Sequence, residues 1–198
     1  DFKYPEGIDG EALFWDFNSS GSYTVPNGKN LYINSYMGSG SGFDLIIDSI
    51  KVFSGPGNYI KYGTHLGGFC DLPIIATENQ IISTNSTGNQ TSITGLLVDK
   101  KVETVNLVLS GANMSNIDFT VPSGKIFVFL NLRMLGHVLY VDGNTLFQNY
   151  YNYFVDNNNC SPSPCNSSTL KQPVIFSEGK TLSVGIYQDN VTINGYLV

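Results

Sequence analysis

One short motif, written twice, sets the strongest limit on how this chain folds. Residues 24–33 read TVPNGKNLYI and residues 120–129 read TVPSGKIFVF, so Pro26, Gly28 and Lys29 recur as Pro122, Gly124 and Lys125, 96 residues on. Two further blocks follow in the same order at an offset of 100. LPIIATENQIIST (72–84) aligns with QPVIFSEGKTLSV (172–184), matching Pro73 with Pro173, Ile75 with Ile175 and Glu78 with Glu178. TSITGLLV (91–98) aligns with VTINGYLV (191–198). Three blocks in one order, with one small change of length, read as an internal duplication. The halves are residues 1–99 and 100–198. They meet in VDKKVET (98–104), which is short and not Gly/Ser-rich, so the halves are expected to sit in a fixed relation.

Each half is built of short runs rich in Val, Ile, Tyr, Phe and Thr, separated by clusters of Gly, Asn, Ser and Pro, with almost no helical periodicity. The spacing predicts strands over 12–17, 30–37, 43–53, 72–76, 80–84 and 92–98. In the second half it predicts them over 104–110, 125–134, 137–143, 173–177, 181–187 and 191–198. The fold class that follows is all-β, as two tandem jelly-roll-like β-sandwich domains. The V-P-x-G-K piece reads as a turn, with proline at its first corner, Asn27 or Ser123 at the second, and Gly28 or Gly124 at positive φ. TENQ and SEGK read as tight hairpin corners.

Composition narrows function more than it names it. Charged residues make up 13% of the chain, about half of the usual share, and Asn, Ser, Thr, Gly and Tyr stand in for them. Such neutral polar surfaces suit secreted or virion proteins. The net charge is −6 with a single arginine, Arg133, and no run of basic residues, which argues against nucleic acid and against an anionic membrane surface. No apolar run approaches the length of a membrane span. A chain that opens at Asp1 without a signal peptide reads as a processed mature chain.

The chemistry-bearing residues form no catalytic pattern. The two histidines, His65 and His137, fall at unrelated places in the repeat, and no nucleophile elbow accompanies them. No metal-ligand spacing is present, so no cofactor is expected. Glu78 and Glu178 recur as a pair, but at equivalent turns of separate halves, where turn chemistry explains them better than a glycosidase does. The Asp142-Gly143-Asn144 turn and the Asn-rich stretch 155–159 are oxygen-rich enough for calcium, though neither has EF-hand spacing. The chain is therefore expected not to be an enzyme.

What the halves do not share points to surfaces. FQNYYNYFVDNNNCSPSPC (147–165) has no counterpart in the first half and reads as an insertion spanning 147–170. Cys160 and Cys165 are placed to close its end as a local disulfide, which would imply an oxidising compartment; Cys70 reads as a small buried hydrophobe. Tyr150, Tyr151, Tyr153 and Phe154, together with Trp15, are candidate contacts for another protein or for a glycan. Sequons stand at Asn18, Asn85, Asn89, Asn113, Asn159, Asn166 and Asn190. The N-terminal strand ALFWDF either starts its own sandwich or pairs with a neighbouring subunit's sheet.

On the duplicated V-P-x-G-K, LPIIATENQIIST/QPVIFSEGKTLSV and TSITGLLV/VTINGYLV blocks, the chain resembles tandem jelly-roll structural proteins: double-jelly-roll virion proteins and jelly-roll subunits of extracellular fibres. That resemblance implies a non-enzymatic, self-assembling protein outside the cell, at a cell surface or on a virion. Its partners would be copies of itself. A carbohydrate-binding or adhesion protein using the Tyr/Asn-rich loop is the alternative.

Overall fold

The computed structural model describes residues 3–38, 44–54, 66–85, 91–110, 118–133, 138–148, 167–185 and 190–198. Its first eight strands are β1 Glu11–Asp16, β2 Tyr23–Thr24, β3 Lys29–Gly38, β4 Asp44–Ile47, β5 Ile50–Ser54, β6 Leu66–Thr77, β7 Ile81–Thr84 and β8 Thr91–Asp99. The next eight are β9 Glu103–Ser110, β10 Phe119–Thr120, β11 Phe127–Arg133, β12 Val138–Val141, β13 Asn144–Gln148, β14 Ser167–Phe176, β15 Thr181–Val184 and β16 Asn190–Leu197. A single helical turn, α1 Phe17–Ser20, follows β1; the Asp16 side chain accepts from the Asn18 N–H and caps it.

The strands pair into four antiparallel sheets, ordered β1-β8-β3-β6, β2-β7-β4-β5, β14-β11-β16-β9 and β10-β15-β12-β13. Adding eight to every label of the first two sheets gives the last two. In each set of eight, the first strand lies beside the last and two four-stranded sheets face each other, which is the jelly-roll arrangement. The molecule is thus all-β and built of two sandwiches.

Alternation along the strands builds three apolar layers. Leu31, Ile33, Ile74, Ala76, Ile93 and Leu97 point inward and meet Leu45, Ile47 and Ile82 of the facing sheet, filling the N-terminal sandwich. Phe127, Phe129, Leu132, Phe176 and Ile193 meet Leu139, Leu182 and Val184 in the C-terminal one. The residues between them in sequence point outward. Tyr32, Leu72, Ile75, Val98, Val102, Val128, Leu130 and Tyr196 form a third layer that joins the sandwiches. A strand buried on both faces reads as a continuous apolar run, which is why LYI, PIIA and IFVFL carry so few polar residues.

Several boundaries differ from the sequence expectation. The predicted strand 43–53 is two strands: Asp48 and Ser49 hold φ of 47° and 71°, the pair of positive values that a two-residue hairpin turn needs. Asp142 and Gly143 do the same between β12 and β13, at 49° and 76°. TENQ and SEGK are not hairpin corners. β6 and β7 lie in different sheets, as do β14 and β15, so each corner carries the chain across the sandwich. The V-P-x-G-K turn closes through Lys29 N–H to the Pro26 carbonyl (3.2 Å) and Lys125 N–H to Pro122 (3.1 Å), so the prolines open their turns rather than fill the first corner. Gly28 and Gly124 supply the positive φ, at 74° and 72°.

Candidate functional site: the joint between the sandwiches

The joint begins with an irregularity. Strand β3 slips register between Ile33 and Ser35, and β11 slips at the aligned place, between Phe129 and Asn131. Such a bulge re-aims one side chain. In β11 it puts Leu130 and Asn131 on the same outer face, while Phe129 and Leu132 stay in the core. The adjacent strand β16 presents Asn194 and Tyr196 on that face.

Against this face lies the edge strand β6. Asn194 accepts from the Ile75 N–H at 3.0 Å and donates to the Ile75 carbonyl at 2.8 Å, as a neighbouring strand would. Asn131 donates to the Pro73 carbonyl at 2.8 Å. Proline suits an edge because it has no N–H to leave unpaired. Thr77 N–H donates to Gln80 Oε1 at 2.9 Å; the same oxygen takes Asn106 Nδ2 at 3.3 Å, and Asn106 Oδ1 takes Asn194 Nδ2 at 2.5 Å. Asn131 and Asn194 are 4% and 1% exposed. Buried amides of this kind are tolerated because they are bonded.

A second clasp lies beside it. Glu6 is buried; it accepts from Asn30 Nδ2 at 2.6 Å, from the Tyr32 hydroxyl, and from the Val102 N–H at 3.3 Å. Burial, reinforced by the Glu6 bond, pushes the Tyr32 hydroxyl far above its ordinary value of 10.0, and burial raises Tyr196 as well. Tyr4 stands edge-on to Tyr32 at 5.0 Å and donates to Asn34 Oδ1 at 2.9 Å.

The recurring acids prove to be turn fasteners. Glu78 Oε2 accepts from the Gly28 N–H at 2.7 Å and its Oε1 from Lys100 at 2.8 Å. Glu178 Oε2 accepts from the Gly124 N–H at 2.5 Å and from Ser123 Oγ at 3.2 Å. The Lys100 bond, then Gly28, holds Glu78 below the usual carboxylate range; the Gly124 N–H, then Ser123, does so for Glu178. Asp48 and Asp142 accept from the N–H groups of Ile81 (2.8 Å) and Thr181 (3.0 Å), fastening the hairpin turns to β7 and β15. Asp142, a calcium candidate from sequence, is also bonded to Lys180. Among the described residues no three metal-ligating side chains gather.

An open groove of about 600 Å³ borders the joint, lined by Glu78, Lys100, Lys101, Glu103, Lys125 and Val198, among others. It brings Lys125 beside the adjacent Lys100 and Lys101, and two glutamates share the lining.

The other sequence candidates fall as follows. Trp15 is half-buried against the N-terminal core; its indole N–H donates to the Gly21 carbonyl at 2.9 Å and its ring meets Tyr23 at 4.8 Å. β1 pairs with β8 of its own sandwich over Glu11–Asp16, so the N-terminal strand belongs to its own sheet. Asn18 and Asn85 are exposed; Asn190 opens β16. Tyr150, Tyr151, Tyr153, Phe154, Cys160, Cys165, Asn89, Asn113, Asn159, Asn166, His65 and His137 lie outside the described residues. The 149–166 segment falls between β13 and β14, the same place in the strand order that 55–65 takes between β5 and β6. Asn131 and Asn194 were missed from sequence; they align with Ser35 and Thr94, so two amides stand where the first half has two hydroxyls.

No family model and no curated protein matches the chain. Among solved structures it is similar to a conserved protein of unknown function from Pseudomonas aeruginosa PAO1. The identity is 10%, over 95% of this chain and 77% of that one, with a TM-score of 0.33. Dimeric latent PorU from Porphyromonas gingivalis is similar at 9% identity, over 97% of this chain and 21% of that one, with a TM-score of 0.25. Likenesses this distant carry no argument about function.

Proposed function

We propose that this protein is a non-enzymatic, self-assembling structural subunit of an extracellular filament, fibre or virion surface, its sandwiches being the two products of one internal duplication. The matching sheet orders support the duplication. One observation carries the assembly reading. Ile75 of β6 is fully buried beneath the C-terminal sandwich, while Ile175, at the same register position of β14, is 66% exposed. An edge strand with an apolar side chain in the open is a template for docking another chain, and soluble proteins ordinarily cover or charge such edges.

Sedimentation velocity of the full chain over a wide concentration range tests this, with negative-stain electron microscopy of the concentrated end. The expected result is a growing series of oligomers or filaments. A single monomeric species throughout would overturn the reading.

A further inference from the structure

Beside the apolar layer that both sandwiches share, the joint seats an edge on a face, so the two sandwiches contribute different polar surfaces to it. The N-terminal sandwich gives the edge, with Pro73, Ile75 and Gln80; the C-terminal one gives the face, with Asn131, Asn194 and Asn106. The repeat supplies each surface a second time. The second edge is Pro173, Ile175 and Lys180. The second face is Ser35, Thr94 and Phe14, since Phe14 pairs with Thr94 across β1 and β8 as Asn106 pairs with Asn194 across β9 and β16. Part of each second surface is open: Ile175 and Phe14 are each 66% exposed, and Thr94 is exposed where Asn194 is 1% exposed, while Tyr32 and Leu96, aligned with Val128 and Tyr196, already lie in the layer between the sandwiches. Ser35 and Thr94 bond to each other at 2.6 Å, as hydroxyls with no strand edge in front of them can.

We infer that copies of this chain join head to tail, the β14 edge around Ile175 of one copy seating on the Phe14–Ser35–Thr94 face of the next. This rests on the self-assembly reading above and names its contact. The occupant is a second copy because the joint within the chain already seats one sandwich's edge on the other's face. Each chain then leaves Ile175 of the second edge and Phe14 and Thr94 of the second face uncovered. The chemistry of the second pair is more apolar than the first: Phe14 replaces Asn106, which bonds Gln80, and so faces the aligned Lys180 beside Ile175, where apolar burial takes the place of amide bonds. A contact between two different surfaces leaves a free one at each end and propagates rather than closing on a dimer. The N-terminal segment, with Tyr4 over Tyr32 and bonded to Asn34, flanks the face and bounds where the incoming edge can sit.

The test uses the full chain with Ile175→Asp or Phe14→Lys, read by sedimentation velocity and electron microscopy. Both residues are exposed, so each variant is expected to melt like the parent by circular dichroism; Ile175→Thr and Phe14→Ser repeat the test without added charge. Each variant alone should need at least about a tenfold higher concentration to assemble. Mixing Ile175→Asp with Phe14→Lys should restore assembly, because the intact edge of one meets the intact face of the other and the altered pair is of opposite charge. Assembly of the parent that neither variant weakens would overturn the contact and leave self-assembly standing. Loss with Ile175→Asp alone, unrescued by mixing, would also overturn it, in favour of β14 pairing with itself. A parent that stays monomeric would overturn both.

Discussion

At the residue scale, the joint turns on one amide. Asn194 satisfies both the N–H and the carbonyl of Ile75 in a buried place. Asn194→Leu keeps the branching of the side chain and leaves two backbone groups unpaired; at roughly 1–3 kcal/mol each, the loss should be about 2–6 kcal/mol in chemical denaturation. Thr94→Ala, the aligned change on the open face, should cost the isolated chain about 0.5 kcal/mol or less. The carboxylates give a pH dependence of definite sign. Glu78, Glu178, Asp99 and Asp142 are all held below their ordinary values, 4.5 for glutamate and 3.8 for aspartate, by hydrogen bonds from Lys100, Gly124, Lys29 and Lys180 in turn. A carboxylate lowered by folding adds stability above its ordinary value and loses it as pH falls through the lowered one. The melting temperature should therefore drop below about pH 4.5, with a modest amplitude because all four are exposed and screened. The tyrosines act at the other end. Tyr23, Tyr32 and Tyr196 are raised by burial, so the folded chain holds their protons where the unfolded chain releases them. Stability should fall as pH rises past about 10, and the phenolate absorbance of these three should appear only with unfolding.

At the scale of the element, glycines distinguish two kinds of constraint. A Cβ on Gly195 would lie 2.3 Å from the Val128 carbonyl, and one on Gly95 would lie 2.5 Å from that of Tyr32, both beside the bulged strands. Gly195→Ala should cost about 1–3 kcal/mol or more through crowding of backbone. Gly124 has open space around it and a φ of 72°, so Gly124→Ala should cost about 1–2 kcal/mol from conformation alone. Thermal melts with asparagine at each place separate the causes: Gly124→Asn should lose less than Gly124→Ala, because asparagine tolerates positive φ, whereas Gly195→Asn should lose at least as much as Gly195→Ala. These elements also show what the sequence can carry. Its repeats located the turns at Gly28 and Gly124, the aligned edges of β6 and β14, and the all-β class, since local backbone demands write themselves into residue type. Asp48-Ser49 was hidden inside an apolar run because neither residue is glycine. The sheet-crossing corners at Asn79 and Gly179 were read as hairpins because sequence records the turn and not which sheet receives the next strand. The joint was invisible for a third reason. Asn131 reaches its face only through a bulge, and alternation counted without that extra residue points it into the core.

At the scale of the molecule, what matters is a repeat whose copies are used unequally. Ile75 is buried at the joint while the aligned Ile175 is exposed, and Asn194 is buried there while the aligned Thr94 is exposed. The polar part of the joint is an edge on a face, and a contact between unlike surfaces does not close on itself. The buried carboxylate Glu6 is bonded by Asn30, Tyr32 and Val102. The measurement that bears most directly on this account is sedimentation velocity of the intact chain as concentration rises. The account expects oligomers that lengthen stepwise without stopping at a dimer. A sharp monomer at every concentration, or a dimer that grows no further, would contradict it.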